Sequence, residues 1–317
     1  MKKILIIALI FINLCLNCCN KKISTDPPIK QNIQTKITSL SDLEDKYIIN
    51  AKRDILCLMI AYPSYIRDAE YKNGFIYIVM NSGKKILYDD KKKKSVDERL
   101  SKADIQDMME QIYPLNFTGQ VMDNDFDPGR ARCYALFKYI YGSSKSEIES
   151  NLIIIKTLFG SFQFNKKNNA SLYFQNAINE IALIAKKNDK IRKFIIPISG
   201  TFNYRYISGT NNLSAHSFGI AVDLAANKDD YWRWTLKDKA QIRLQSYPKE
   251  IVSAFENNFF IWGGKWGHFD IMHYEYRPEI ILKAKYFGNN IKDSSVWYGS
   301  ISYKEYKDYI DTINRAF

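Results

Sequence analysis

The stretch 201–224, TFNYRYISGTNNLSAHSFGIAVDL, and its companion 262–275, WGGKWGHFDIMHYE, decide how this chain is read. Together they hold His216, His268 and His273, which are all three histidines of a 317-residue sequence. Arg205, Asp223 and Asp270 fall in the same run. Such convergence of titratable and metal-ligating side chains marks a candidate site. Gly219, between His216 and Asp223, can adopt the φ > 0 conformation that reverses a backbone. The segment after it, Ile220 to Leu224, is short, apolar and partly β-branched, and reads as a buried strand. Asp223 would then be an acid in apolar surroundings, where an unpaired charge is costly. A cation beside it would resolve the conflict.

A catalytic zinc takes three protein ligands from His and carboxylate and keeps a fourth position open. His216, Asp223 and His273 would supply that set. The plainer alternative is a hydrogen-bonded core histidine and an aspartate capping a turn. Several such groups together favour the metal. A helix from Pro248 to Asn257 separates the two stretches, so the chain must return to one sheet for His273 to meet His216.

Ser214 to Asp223, SAHSFGIAVD, resembles the SxHxxGxAxD motif of the M15 zinc peptidases, the group of D-alanyl-D-alanine carboxypeptidases, VanY and L-alanyl-D-glutamate endopeptidases. Asp270 to Glu275, DIMHYE, is similar to the second motif of that family, an acid three residues before a histidine, then an aromatic residue and Glu. Gly263-Gly264-Lys265-Trp266 is similar to its GGxW. The resemblance implies that His216, Asp223 and His273 bind Zn²⁺, that Asp270 is the general base, and that Arg205 faces the reacting carbonyl or a substrate carboxylate. Ser214 either contacts substrate or caps the turn, and Trp266 walls the cleft. His268 is an alternative imidazole that the motif does not use, and Glu275 is expected behind a ligand, accepting its outer N–H. Met272 stands where the family often has Pro, and Tyr274 where Phe is commoner. Asp270 and His273 are three apart, so a bend is expected at Ile271-Met272.

The implied activity is hydrolysis of a D-amino-acid-containing peptide bond of peptidoglycan, by a D,D-carboxypeptidase or a stem endopeptidase. A zinc amidase cutting the sugar-to-peptide bond is a variant of this reading. A non-catalytic wall-binding or adhesin lipoprotein on a peptidase scaffold is the alternative.

The chain opens MKKILIIALIFINLCLNCC, two lysines before an apolar run, which is a secretory leader too short for a membrane span. Leu16-Asn17-Cys18-Cys19 resembles a lipobox, with Cys19, or else Cys18, as the acylated residue. The expected order is a lipoprotein signal peptide over 1–18, a tether over 19–40, an N-terminal helix and hairpin region over 41–125, and the M15-like catalytic domain over 126–317. The expected place is the bacterial cell envelope, lipid-anchored, on the periplasmic or outer-surface side. A net charge of +12 points to anionic surroundings, here lipid and cell wall with its stem peptides and not nucleic acid. Beyond the leader and the acylated position only Cys57 and Cys133 remain, too few for a disulfide framework, with a single bridge between them left open.

The fold expected is α+β: a small, mostly antiparallel sheet carrying the zinc site, packed with several helices, plus the N-terminal annex. Periodicity predicts helices from Ser41, over 103–112, 145–158 and 170–187, after Pro278 and over 303–316. Strands are predicted around Asn81-Ser82-Gly83, and over 194–199 and 201–207. Asp127-Pro128-Gly129-Arg130-Ala131-Arg132 reads as a turn feeding a helix. It also looks like a DPGRxR stretch of longer M15 relatives, with its two arginines expected in a structural turn. Lys91 to Lys94 reads as a solvated basic run.

Overall fold

The computed structural model describes residues 40–288 and 296–317. The leader, Cys18, Cys19 and the tether up to residue 39 lie outside the described residues. From Leu40 onward the chain is one compact unit, and the segments 41–125 and 126–317 share one hydrophobic core.

Helix α1 (Leu40–Ala61) buries Ala51, Ile55, Leu58 and Met59 at three- and four-residue spacing, an apolar stripe that docks on the rest of the protein. Strands β1 (Ile66–Lys72), β2 (Phe75–Met80) and β3 (Lys85–Leu87) follow as an antiparallel meander, of which the sequence showed only the second hairpin. The helix expected over 103–112 is α3 (Ile105–Met109), and a further short helix, α2 (Val96–Ser101), precedes it; each is opened by a capping box, Ser95 with Glu98 and Asp104 with Asp107. Lys94 is not solvated. Its ammonium sits 3.0 Å from Asp90, 2.7 Å from Asp104 and 2.6 Å from Asp107.

Helix α4 (Tyr134–Tyr141) leads into α5 (Lys145–Ser150). The helix expected over 145–158 stops at its midpoint: the β-branched run Ile153-Ile154-Ile155 prefers extended backbone, and β4 (Leu152–Thr157) pairs with β5 (Gly160–Asn165). Helix α6 (Ala170–Lys187) follows where expected and buries Phe174, Ala177, Ile178 and Ile181. The predicted strands over 194–199 and 201–207 are absent. A 3₁₀ turn, Asp189–Phe194, is followed by irregular chain that meets the sheet at a single bridge, Gly200 to Asp223, while a second bridge, Tyr206 to Leu213, closes the segment on itself. Pro197 offers no N–H to a ladder there, which prevents regular pairing.

The central sheet is β6 (Ala221–Asp223), then, after α7 (Lys237–Ser246) and α8 (Lys249–Asn257), β7 (Phe260–Trp262) and β8 (His273–Tyr276), in the order β6-β8-β7 and all antiparallel. Helix α7 escaped the sequence reading because its surface is polar nearly all round, with only Ala240 and Leu244 buried. Helix α9 (Pro278–Phe287) packs on α1, and α10 (Tyr303–Ala316) closes the chain against α1 and β1. Cys57 and Cys133 are both free and buried. Among the described residues no helix is long and apolar enough to cross a membrane. The architecture is α+β, with a small antiparallel sheet at its centre.

Candidate metal centre

Two local devices bring the imidazoles and the carboxylate together. The first is the turn before β6. Ser214 caps a 3₁₀ turn, Ala215–Phe218, by accepting from the His216 amide, and Gly219 ends it at φ 66°. A Cβ at Gly219 would stand 2.6 Å from Leu152 Cδ2, which would have to give way, and the positive φ itself disfavours any other residue. The second is strand register. Asp223 lies directly opposite His273, and Ala221 opposite Glu275. Because side chains alternate across a strand, Asp223, His273 and Glu275 share one face, while Val222 and Tyr274 point into the core behind. The expected bend at Ile271-Met272 is present as a turn closed by the His273 amide on the Asp270 carbonyl, 3.1 Å. Gly263 makes room for it, since its Cβ would lie 2.5 Å from that same carbonyl oxygen.

The three polar atoms form a tight triangle. His216 Nε2 is 3.2 Å from Asp223 Oδ1 and 3.2 Å from His273 Nδ1, which is 2.9 Å from Asp223 Oδ1. Tetrahedral zinc with bonds of about 2.0–2.1 Å separates its ligand atoms by about 3.3 Å. The triangle is within a few tenths of an ångström of that. Two ring nitrogens facing each other cannot both carry protons, and a cation is the simplest occupant that satisfies both together with the carboxylate. His216 donates its other nitrogen, Nδ1, to the Thr201 carbonyl at 2.7 Å, which leaves Nε2 as the lone-pair side. His273 turns Nε2 toward Glu275 Oε2, 3.6 Å away, which leaves Nδ1 for the centre. Donor types, separations and tautomers thus fit a zinc ion.

The electrostatics agree. Burial alone would strip charge from His273, but hydrogen bonding to Asp223 and Glu275 outweighs it and pushes its pKa up to about 10. Burial likewise opposes ionisation of Asp223, yet the two imidazoles hold its carboxyl well below the usual range. Glu275 is fully buried and also held far below the carboxylate range, chiefly by Arg132 against the cost of burial. Without a metal, a proton on His273 thus partners the Asp223 and Glu275 carboxylates, and a divalent cation would take that proton's place.

Asp270 sits in the turn just before β8, its amide donating to the Gly263 carbonyl at 2.9 Å. Its Oδ1 is buried with no hydrogen-bond partner among the described residues. Burial, helped by the nearby Asp223 and Asp230 and opposed by His273, pushes its pKa up to about 7. Arg205 is anchored by its backbone, whose amide donates to Ser217 Oγ at 2.9 Å. Its guanidinium is exposed and makes no hydrogen bond or ion pair among the described residues. Both line one cleft of about 380 Å³ together with the triangle, Ser214 and Trp266. The Ser214 hydroxyl is engaged as a cap, 3.4 Å from the His216 amide. Trp266 is nearly buried, its ring 5.7 Å from that of His273 and its Nε1 donating to the Pro128 carbonyl at 2.9 Å.

His268 is not in the triangle. Its Nδ1 meets Asp127 Oδ2 at 2.7 Å, its amide donates to Asp127 Oδ1 at 2.9 Å, and its ring lies edge-on to Trp232 at 4.6 Å. It forms a wall of the same cleft. The residues the sequence reading undervalued are those of the DPGRxR stretch. Arg132 is buried and grips Glu275 through Nε at 2.8 Å and Nη2 at 2.5 Å, which a plain structural turn does not require. The motif itself was the available signal. A second acidic group, Asp89, Asp90 and Asp104, has its compensating charge in Lys94.

Comparison with known proteins bears on one part of the chain. No curated protein and no solved structure matches it. Residues 208–276, a span that holds His216, Asp223, Asp270 and His273 and begins just after Arg205, match the family model described as D-alanyl-D-alanine carboxypeptidase. Over that span the chain is similar to M15 peptidases of the D-alanyl-D-alanine carboxypeptidase type.

Proposed function

We propose that this protein is a zinc-dependent peptidase that hydrolyses a D-amino-acid-containing bond of bacterial peptidoglycan, either releasing a terminal D-alanine or cutting within the stem peptide. The observation that carries this reading is the 2.9–3.2 Å triangle of His216 Nε2, Asp223 Oδ1 and His273 Nδ1, opening on a cleft that also holds Asp270 and Arg205. Those three residues would hold the ion, and zinc when bound supplies an acidified water and a polarised carbonyl.

The chain's own groups do the rest. Asp270 Oδ1, buried and without a partner among the described residues, takes the proton of the attacking water and returns it to the departing amine. Burial raises its pKa above the ordinary carboxylate value, which makes it a stronger base than an exposed aspartate. The Arg205 guanidinium, with no carboxylate partner among the described residues, meets the negative charge that develops on the carbonyl oxygen or the terminal carboxylate of the substrate. Ser214 and Trp266 shape the substrate side of the cleft. The peptidoglycan stem peptide is the proposed partner, and nucleic acid is not. The leader and Cys19, or Cys18, would tether the protein to a bacterial membrane on the periplasmic or outer-surface side, with residues 126–317 as the catalytic part.

The test is digestion of purified cell wall, and of a peptide ending in D-alanyl-D-alanine, with fragments identified by mass. Release that stops with a chelator, returns with zinc and is lost in His216→Ala supports the reading. A metal-free protein that stays active, or full activity in His216→Ala, refutes it. Wall binding with no hydrolysis would instead favour the non-catalytic lipoprotein.

A further inference from the structure

We propose that Arg132 is a positioning residue for the metal centre: by clamping Glu275 it fixes the ring of His273. The inference rests on the zinc reading above and extends it to a residue outside the segment 208–276.

The two histidines of the triangle are oriented in different ways. His216 is held by a backbone carbonyl, that of Thr201, and needs no side chain for the purpose. His273 has only Glu275 behind it, with Nε2 3.6 Å from Glu275 Oε2. The two residues are two apart on β8, so they share a face, and the carboxylate sits where the outer nitrogen of the ring points. A carboxylate can perform that task only if its own plane is fixed. Arg132 does this with a two-pronged grip, Nε to Oε1 at 2.8 Å and Nη2 to Oε2 at 2.5 Å, in a place where Arg132 is 8% and Glu275 0% exposed. Arg277 is the only other cation beside Glu275 among the described residues. It approaches Oε1 at 3.4 Å, but its Nε is committed to Glu279 at 2.7 Å. Arg132 alone therefore holds both oxygens, and the Oε2 it holds is the one that faces His273.

The segment carrying Arg132 is itself seated on the loop that carries the site. The Pro128 carbonyl accepts from Trp266 Nε1, the Gly129 carbonyl accepts from Arg277 Nη1, and Asp127 accepts from the His268 amide and faces its Nδ1. A Cβ at Gly129 would lie 2.7 Å from Ile261 Cδ1 on β7, so this close seating requires glycine. Groups behind a ligating imidazole set its orientation, and removing them commonly weakens metal affinity by about 10- to 100-fold.

The experiment measures zinc affinity by competition with a chromophoric chelator, on the full chain, for wild type, Arg132→Met, Arg132→Lys, Glu275→Gln and the two Arg132 changes made in Glu275→Gln. Arg132→Met is expected to weaken zinc binding about 10- to 100-fold. Arg132→Lys, which keeps the charge but cannot grip both oxygens, falls between it and wild type. If Arg132 acts through Glu275, changing it in Glu275→Gln costs less than about twofold more. Wild-type affinity in both Arg132 variants, or the same loss with and without Glu275, would overturn the inference. Should Arg132→Met fail to fold, Arg132→Lys in the two backgrounds reads the same coupling. A wild-type protein that binds no zinc would fail at an earlier step, sinking the metal reading and this inference with it.

Discussion

Replacing Asp270 by asparagine should cripple hydrolysis and, above neutral pH, make the metal-free protein more stable. The carboxyl is buried, one of its oxygens has no partner, and its pKa is pushed from the ordinary 3.8 to about 7. Between those values the unfolded chain has released the proton while the folded chain keeps it. Folding stability therefore falls as pH rises from about 4 to about 7 and stays lowered beyond. At about 1.4 kcal/mol per pH unit, the interval from 3.8 to about 7 caps this penalty at about 4 kcal/mol. Asparagine does not titrate, so it removes the penalty. The variant should match wild type near pH 4 and exceed it by about 1–4 kcal/mol at pH 8. Loss of the base should lower kcat by about 10²- to 10⁴-fold, or about 2.7–5.4 kcal/mol of barrier. Urea unfolding of metal-free protein at pH 4.5 and pH 8, alongside turnover of a D-alanyl-D-alanine peptide, reads both sides. A stability difference that does not change with pH, or a variant with wild-type kcat, would refute the reasoning.

Arg205→Ala should cut kcat/KM by about 10²- to 10³-fold while zinc content, read by metal analysis, stays at the wild-type value. His268→Ala should also keep its zinc, because Nδ1 of His268 is engaged by Asp127 and takes no part in the triangle; loss of zinc would place it among the ligands. Gly219→Ala should cost about 1–3 kcal/mol of stability in denaturant titration, since φ is 66° and the added methyl would meet Leu152 at 2.6 Å.

The site was more legible in the sequence than the scaffold around it. His216, Asp223 and His273 could be paired because Gly219 announced a reversal and Ile220 to Leu224 a strand, both strictly local signals. The bend at Ile271-Met272 followed from the three-residue spacing of Asp270 and His273 alone. The 145–158 segment misled because its apolar residues suit a helix face as well as a strand, and only the partner strand β5 decides between them. The irregular path of 194–207 could not be read either: it is shaped by contacts with Asp223 and Ser217, which are distant in sequence. Arg132 was hidden for a similar reason. Its partner Glu275 is 143 residues away, and a charged residue after a turn ordinarily implies exposure.

The buried ionic chain behind the sheet does not end at Arg277. Glu279 passes it on to the hydroxyl of Tyr62 at the end of α1, and one turn further along α9 Lys283 pairs with Asp54 on the same helix at 2.6 Å. An excised fragment starting near residue 126 would leave the Lys283 ammonium without its carboxylate and Glu279 without the Tyr62 hydroxyl, so the smallest autonomous unit should begin at Leu40 rather than at the motif-bearing half.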